Sequence, residues 1–235
     1  FRNKNIKHIT LNELNKIDIV ESIFIIPHGN YLPFISKKHT QKKAKEYFKI
    51  SPNKKVLLFF GMIKKVKGLE ILLKAFKNVV KKNNDIVLII AGKVWKNDFS
   101  LYQSIIDKNN LNEYCIIHNR FIAQEKVSLY YNVADLVVLP YKKIYQSGVM
   151  LMAMSYDVPV LASDLPPIKE MIDDEVNGFL FASEDTDALS NKLNDILLKP
   201  KLLESVKINA NKLIKQKFCW NTIGAQTKSA YESIQ

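Results

Sequence analysis

Two short polar stretches carry the residues best suited to chemistry. In "GMIKKVKGLE", Lys64, Lys65 and Lys67 lie between Gly61 and Gly68, and an apolar helical pattern starts directly afterwards. Ammonium groups beside the unpaired backbone N–H groups of a helix start form a site for an anion. Plain solvent exposure explains Lys64 and Lys65 equally well, whereas Lys67, set against the helix-opening glycine, fits the anion role better. In "YQSGVMLMAM", the turn Gln146–Ser147–Gly148 leads through Val149 into a second helix, and no acid, histidine or cysteine occurs from Ile144 to Met154. Such a turn offers backbone N–H groups and one hydroxyl, which suit a phosphate. Placed opposite the lysine stretch, it would let two helix starts flank one diphosphate. Met150, Met152 and Met154 read as core packing. Protein groups supply the positive charge, so neither a metal nor a cofactor is expected.

Something must bring these stretches to one place. Short apolar runs at 22–27, 55–61, 85–92, 114–118, 135–140 and 158–163 read as strands, most of them continuously apolar. That pattern belongs to strands covered on both faces. Between them lie helical patterns. After Gly68, the residues Leu69, Leu72, Leu73, Phe76 and Val80 mark one buried face, and 99–109, 124–132 and 148–156 fill the other gaps. Regular strand–helix alternation predicts an α/β fold with a doubly wound, Rossmann-like parallel sheet. Right-handed crossovers then put every strand-to-helix loop at the carboxyl edge, where such folds bind ligands. Gly61, Gly92 and Gly148 fall at or just after strand ends, and each serves as a turn residue or lets backbone approach a ligand. Neither GxGxxG nor GxxxxGK[ST] occurs.

The ends read differently. After Phe181 the pattern is helical, with Pro200 between the first two helices. The expected division is a connector over 1–54, a Rossmann-like body over 55–218 and a last helix over 219–235. Phe1 in place of Met leads to the expectation that the chain starts part-way through a longer protein.

Composition narrows the classes. The 235 residues are 47% hydrophobic, which excludes disorder, and no run approaches a membrane span. Cys115 and Cys219 form no CxxC and have no histidine pair nearby, so two reduced thiols in a cytoplasmic protein are expected. The net charge of +12 favours anionic partners, although lysine-filled solvated faces account for it too. No helix-turn-helix, zinc finger or aromatic–basic RNA motif accompanies the charge, so nucleic acid is not an expected partner. Peripheral contact with an anionic membrane surface is.

The stretches "GMIKKVKGLEILLKAF", "DIVLIIAG", "YNVADLVVLPY", "SGVMLMAMSYDVPVLASD" and "KEMIDDEVNGFLF" resemble, in order and spacing, the group 1 (family-4) glycosyltransferases over about residues 22–235. The resemblance implies the C-terminal, donor-binding half of a GT-B fold with extra C-terminal helices. It implies a retaining sugar transfer from a nucleotide-diphosphate donor, with UDP or GDP expected. The acceptor, a glycan or lipid-linked glycan, would be held by an N-terminal domain outside this chain, toward which the last helix would pack. By the same resemblance Gly61, Lys64, Lys67, Gln146, Ser147, Gly148 and Val149 meet the donor diphosphate. Asn119, Arg120, Phe121 and Ile122, with Tyr141, belong to the base and ribose. "VPVLASD" and Glu170 back the site, and "IPHGNY" resembles the hinge between domains. No residue is singled out as catalytic. Three positions depart from the family's pattern. Met62 stands where an Arg is usual, and Ile144 and Met152 stand where two glutamates are usual. A non-catalytic sugar-nucleotide-binding module or partner subunit is the alternative they raise.

Overall fold

The computed structural model describes residues 24–36, 39–96 and 98–233. Six strands form one sheet in the order β3-β2-β1-β4-β5-β6: β1 Lys55–Phe60, β2 Ile86–Ala91, β3 Cys115–His118, β4 Leu136–Leu139, β5 Val160–Ser163 and β6 Phe179–Phe181. Every pairing is parallel, with Leu57 opposite both Leu88 and Leu136 at the centre. Nine α-helices accompany it: α1 Gln41–Tyr47, α2 Leu69–Lys82, α3 Ser100–Lys108, α4 Gln124–Val133, α5 Gly148–Ser155, α6 Pro166–Lys169, α7 Thr186–Leu197, α8 Pro200–Lys217 and α9 Trp220–Glu232, counted among the described residues.

Continuous apolar strands bury both faces, and alternate residues choose the layer. Val56 and Leu58 join Ala44 of α1, Leu129 of α4, Met150 of α5 and Ile214 of α8 in one core. Leu57 and Phe59 join Leu72 and Phe76 of α2, Ile106 of α3 and Leu193 of α7 in the other. The strand order reverses between β1 and β4, so the loops after those strands open the crevice where doubly wound sheets take ligands.

Two features differ from the sequence expectation. No strand forms over Phe24–Pro27, and residues 22 and 23 of that run lie outside the described residues. Phe24 and Ile25 stand about half exposed, and among the described residues no strand pairs with them. The second edge of the sheet is instead β6, hidden in "NGFLF". Three residues are too few to show a period, and only pairing with Leu161–Ser163 makes them a strand. Residues 41–54 pack with the body: Ala44, Phe48 and Ile50 are buried in the α1–α4 layer.

Residues 28–32 are stitched to the C-terminal helices. The Asn30 backbone N–H donates to the Phe218 carbonyl at 2.7 Å, and its side-chain amide donates to the Ile214 carbonyl at 2.9 Å. The Trp220 indole donates to the Asn30 carbonyl at 2.8 Å, and the Leu32 N–H donates to Asn30 Oδ1 at 3.1 Å. Replacing a buried amide with these bonds leaves groups unpaired, so Asn30→Ala is expected to cost about 1–3 kcal/mol. A lowered urea midpoint at unchanged slope would check it.

Candidate functional site

The lysine stretch folds as one 3₁₀ turn, Lys65–Lys67, ending in Gly68 at φ +67°. That left-handed geometry suits glycine, and contact makes it necessary. A Cβ at Gly68 would sit 1.8 Å from the Pro140 carbonyl oxygen at the end of β4. The turn thus rests on the segment Pro140–Tyr141–Lys142. Lys142 N–H donates to the Val66 carbonyl at 2.9 Å, and Lys142 Nζ pairs with Glu70 at the start of α2.

Tyr141 lies beneath Lys67. Its ring is 1% exposed, and Lys67 Nζ stands 3.7 Å from the ring centroid. Burial lowers the Lys67 pKa to about 8, helped by the charge of Lys64. Burial likewise pushes the Tyr141 hydroxyl up to about 12. Lys67 is therefore a partly desolvated cation, the state in which an anion gains most from meeting it. Lys65 is exposed, and Lys64 Nζ sits 4.9 Å over the Trp95 ring.

The second helix start stands beside this turn. Ser147 caps α5, its hydroxyl accepting from Met150 N–H at 3.2 Å and lying 3.4 Å from the Tyr141 hydroxyl. A Cβ at Gly61 would touch Val149 Cγ2 at 3.2 Å, so the end of β1 and the first turn of α5 are in contact. Gln146 and Gly148 are exposed there. The Gly92 backbone crowds Gly61 so closely that a Cβ would stand 1.9 Å from the Gly61 oxygen. One edge therefore gathers Gly61, Lys67, Gln146, Gly148 and Val149. Ser147, 5% exposed, serves it mainly as the cap.

The turn after β3 is built apart from these groups. Asn119 Oδ1 accepts from Val94 N–H at 3.0 Å and clamps the loop after β2. The Tyr130 hydroxyl lies 2.7 Å from His118 Nδ1, and burial disfavours its ionised form while the Arg120 charge nearby favours it. Ile122 packs on the core, and Phe121 stands 81% exposed, a free aromatic face. Tyr141, grouped by sequence with this turn, stands instead under Lys67, because the residue after β4 is drawn inward by core packing.

A cavity of about 510 Å³ opens next to α5, lined among others by Ile144, Gln146, Ser147, Glu170 and Met171. Ile144 and Met152 pack against the apolar core. Among the described residues no cluster of three His, Cys, Asp or Glu could hold a metal. The sequence does hold one DxD spacing, Asp185–Thr186–Asp187, but Asp185 is spent as the cap of α7, accepting from the N–H groups of Asp187 and Ala188. No helix among the described residues is long and apolar enough to cross a membrane.

Tyr31 is the residue that sequence reasoning missed. Its hydroxyl lies 3.0 Å from where a Gly148 Cβ would be, its ring stacks on His28, and its N–H donates to Ser155 Oγ at 3.1 Å. No local pattern signals the approach to α5, since Gly148 and Ser155 lie over 100 positions away.

A doubly wound parallel sheet whose central loops gather a partly buried lysine and a capped helix start is an α/β domain of Rossmann-like type. The profile of the family described as "Glycosyl transferases group 1" matches residues 40–213. The chain belongs to that family. A lipopolysaccharide 1,2-N-acetylglucosaminetransferase of Salmonella typhimurium is 26% identical over 210 residues, covering 86% of this chain and 54% of that protein. The C-terminal domain of a group 1 family protein (LpcC) of Francisella tularensis superimposes with TM-score 0.70 at 22% identity, covering 80% of this chain and 96% of that domain. Anabaena HepE, solved with UDP and glucose, superimposes with TM-score 0.77 at 20% identity, covering 88% of this chain and 56% of its own. The fold is that of GT-B glycosyltransferases. The chain spans about half the length of the curated relatives it matches.

The Gly68–Pro140 contact should be the least forgiving point of the site. Gly68→Ala combines a strained φ with a backbone clash, so a loss of more than about 2 kcal/mol is expected. Ser147→Ala removes only a cap and should cost about 1 kcal/mol. Equilibrium denaturation of both variants checks the order.

Proposed function

We propose that this chain is the donor-binding part of a retaining glycosyltransferase, of hexosyltransferase type, that moves a sugar from a nucleotide diphosphate to a glycan or lipid-linked glycan acceptor in surface-polysaccharide or glycoconjugate synthesis. One observation carries the reading: Lys67, partly desolvated, stands beside the start of α5 at the sheet's switch point. In the reaction the bond from the anomeric carbon to the distal phosphate oxygen breaks, and a bond to an acceptor oxygen forms on the same face of the sugar. The departing diphosphate gains negative charge. Lys67 and the first N–H groups of α5 stabilise that charge without a metal. The exposed Phe121 face suits stacking on a flat base, with Asn119, Arg120 and Ile122 around it. UDP and GDP are the nucleotides proposed, and HepE's complex with UDP supports the first. The acceptor site belongs to a further domain, so the chain alone binds donor and transfers little or no sugar. The setting is cytoplasmic, with the basic balance supporting peripheral contact at an anionic membrane face.

A second reading has its own observation. Ile144 and Met152 are packed apolar side chains where the family carries glutamates, which fits a sugar-nucleotide-binding partner subunit without turnover. Turnover by the longer protein that contains this chain separates the two.

Thermal-shift screening of the chain against UDP, GDP and ADP tests donor binding; a ligand at 100 times Kd adds about 2.7 kcal/mol. Lys67→Ala should weaken UDP binding roughly tenfold to a hundredfold, the worth of one charged hydrogen bond. Lys65→Ala should cost much less. Equal losses would remove the phosphate site from this turn.

Affinity for UDP should also depend on pH. The Lys67 ammonium is complete below its pKa of about 8 and is lost above it, so calorimetric affinity should hold near pH 7 and fall toward pH 9. Excess chelator should leave it unchanged.

A further inference from the structure

Tyr141 is sealed in the core, yet its ring and hydroxyl meet groups of the proposed diphosphate edge. Its ring faces Lys67 Nζ at 3.7 Å, its hydroxyl lies 3.4 Å from the α5 cap Ser147, and its carbonyl accepts from Ser183 Oγ at 3.4 Å. The residues on either side carry the Gly68 contact and the Lys142–Glu70 pair. A lysine with four rotatable bonds, placed where water is scarce, needs a partner to hold its charge. Among the described residues, Lys67 Nζ meets the face of the Tyr141 ring and makes no ion pair.

We propose that Tyr141 is a positioning residue whose ring face holds the Lys67 ammonium toward the donor diphosphate. The proposal rests on the donor reading above. It differs from a purely packing role in one respect: the electrons of the ring matter, not only its volume. A cation over an aromatic face is stabilised by the ring quadrupole, more strongly when desolvated. The charged groups on the two packed segments are Lys64, Lys65, Glu70 and Lys142, with Lys143 beyond them; α5 brings none. Lys64 and burial both oppose the Lys67 charge, so the ring is the favourable contribution against them.

The test varies ring electronics at constant shape in the full chain. Tyr141→Phe keeps the face and removes the hydroxyl; fluorinated phenylalanine at position 141 keeps the volume and withdraws electrons from the face. Two readouts are taken: UDP affinity by calorimetry, and titration of the Lys67 ammonium by NMR of the unliganded chain. The fluorinated ring should bind UDP roughly fivefold or more weakly than Tyr141→Phe does, as a desolvated cation–π contact implies. The Lys67 titration midpoint should fall with fluorination. Equal affinities and equal midpoints for the two rings would overturn the proposal, leaving Tyr141 a packing residue. If the parent chain binds neither UDP nor GDP, the donor reading fails instead, and the midpoints still decide whether the ring holds the lysine.

Discussion

The architecture of the site depends on the contact between Gly68 and the Pro140 carbonyl. A side chain at Gly68 would overlap that oxygen, so only glycine lets the turn after β1 settle onto the end of β4. Once it settles, the Val66 carbonyl receives the Lys142 N–H, and Lys67 arrives over Tyr141. The crossing is between adjacent strands of the sheet at the point where the strand order reverses. Position in the sheet and chemistry of the turn are thus one constraint.

A similar closeness runs along the rest of the carboxyl edge. Gly92 passes against the Gly61 oxygen, the bridge between Ile63 and Val94 extends the pairing of the two loops, and Asn119 ties the next loop to Val94. Loops bound in this way are held as firmly as the strands that feed them. They can present backbone N–H groups in fixed directions, which a diphosphate needs more than flexible side chains. Lys67 sits against this background as a deliberate weakness for the fold. Its charge is disfavoured by burial, and a desolvated cation is what an anionic ligand repays.

The helical C-terminus contributes through a different route. Trp220 and Phe218 grip the backbone of residues 29 and 30, and this grip delivers Tyr31 to the start of α5. Segments far apart in sequence, residues 28–32 and the start of the last helix, are therefore held together beside the start of α5.

Much of this was legible in the residues. Continuous apolar runs at β1, β2, β4 and β5 can be buried only between two helix layers, so the doubly wound class followed from composition and period alone. The lysine turn and the "QSG" turn were visible because charge, glycine and helix start are local features. The three-residue β6, the coil at Phe24–Pro27, the burial of Tyr141 and the approach of Tyr31 were not. Each depends on which distant segment is adjacent: β6 is a strand only because β5 offers it hydrogen bonds, and Tyr141 lies under Lys67 only because Gly68 lets two strand ends touch. Local sequence determines what a segment can do with its own neighbours along the chain. Contacts across the sheet depend on steric fit and on hydrogen-bond groups left over by other elements, and only the tertiary structure decides those.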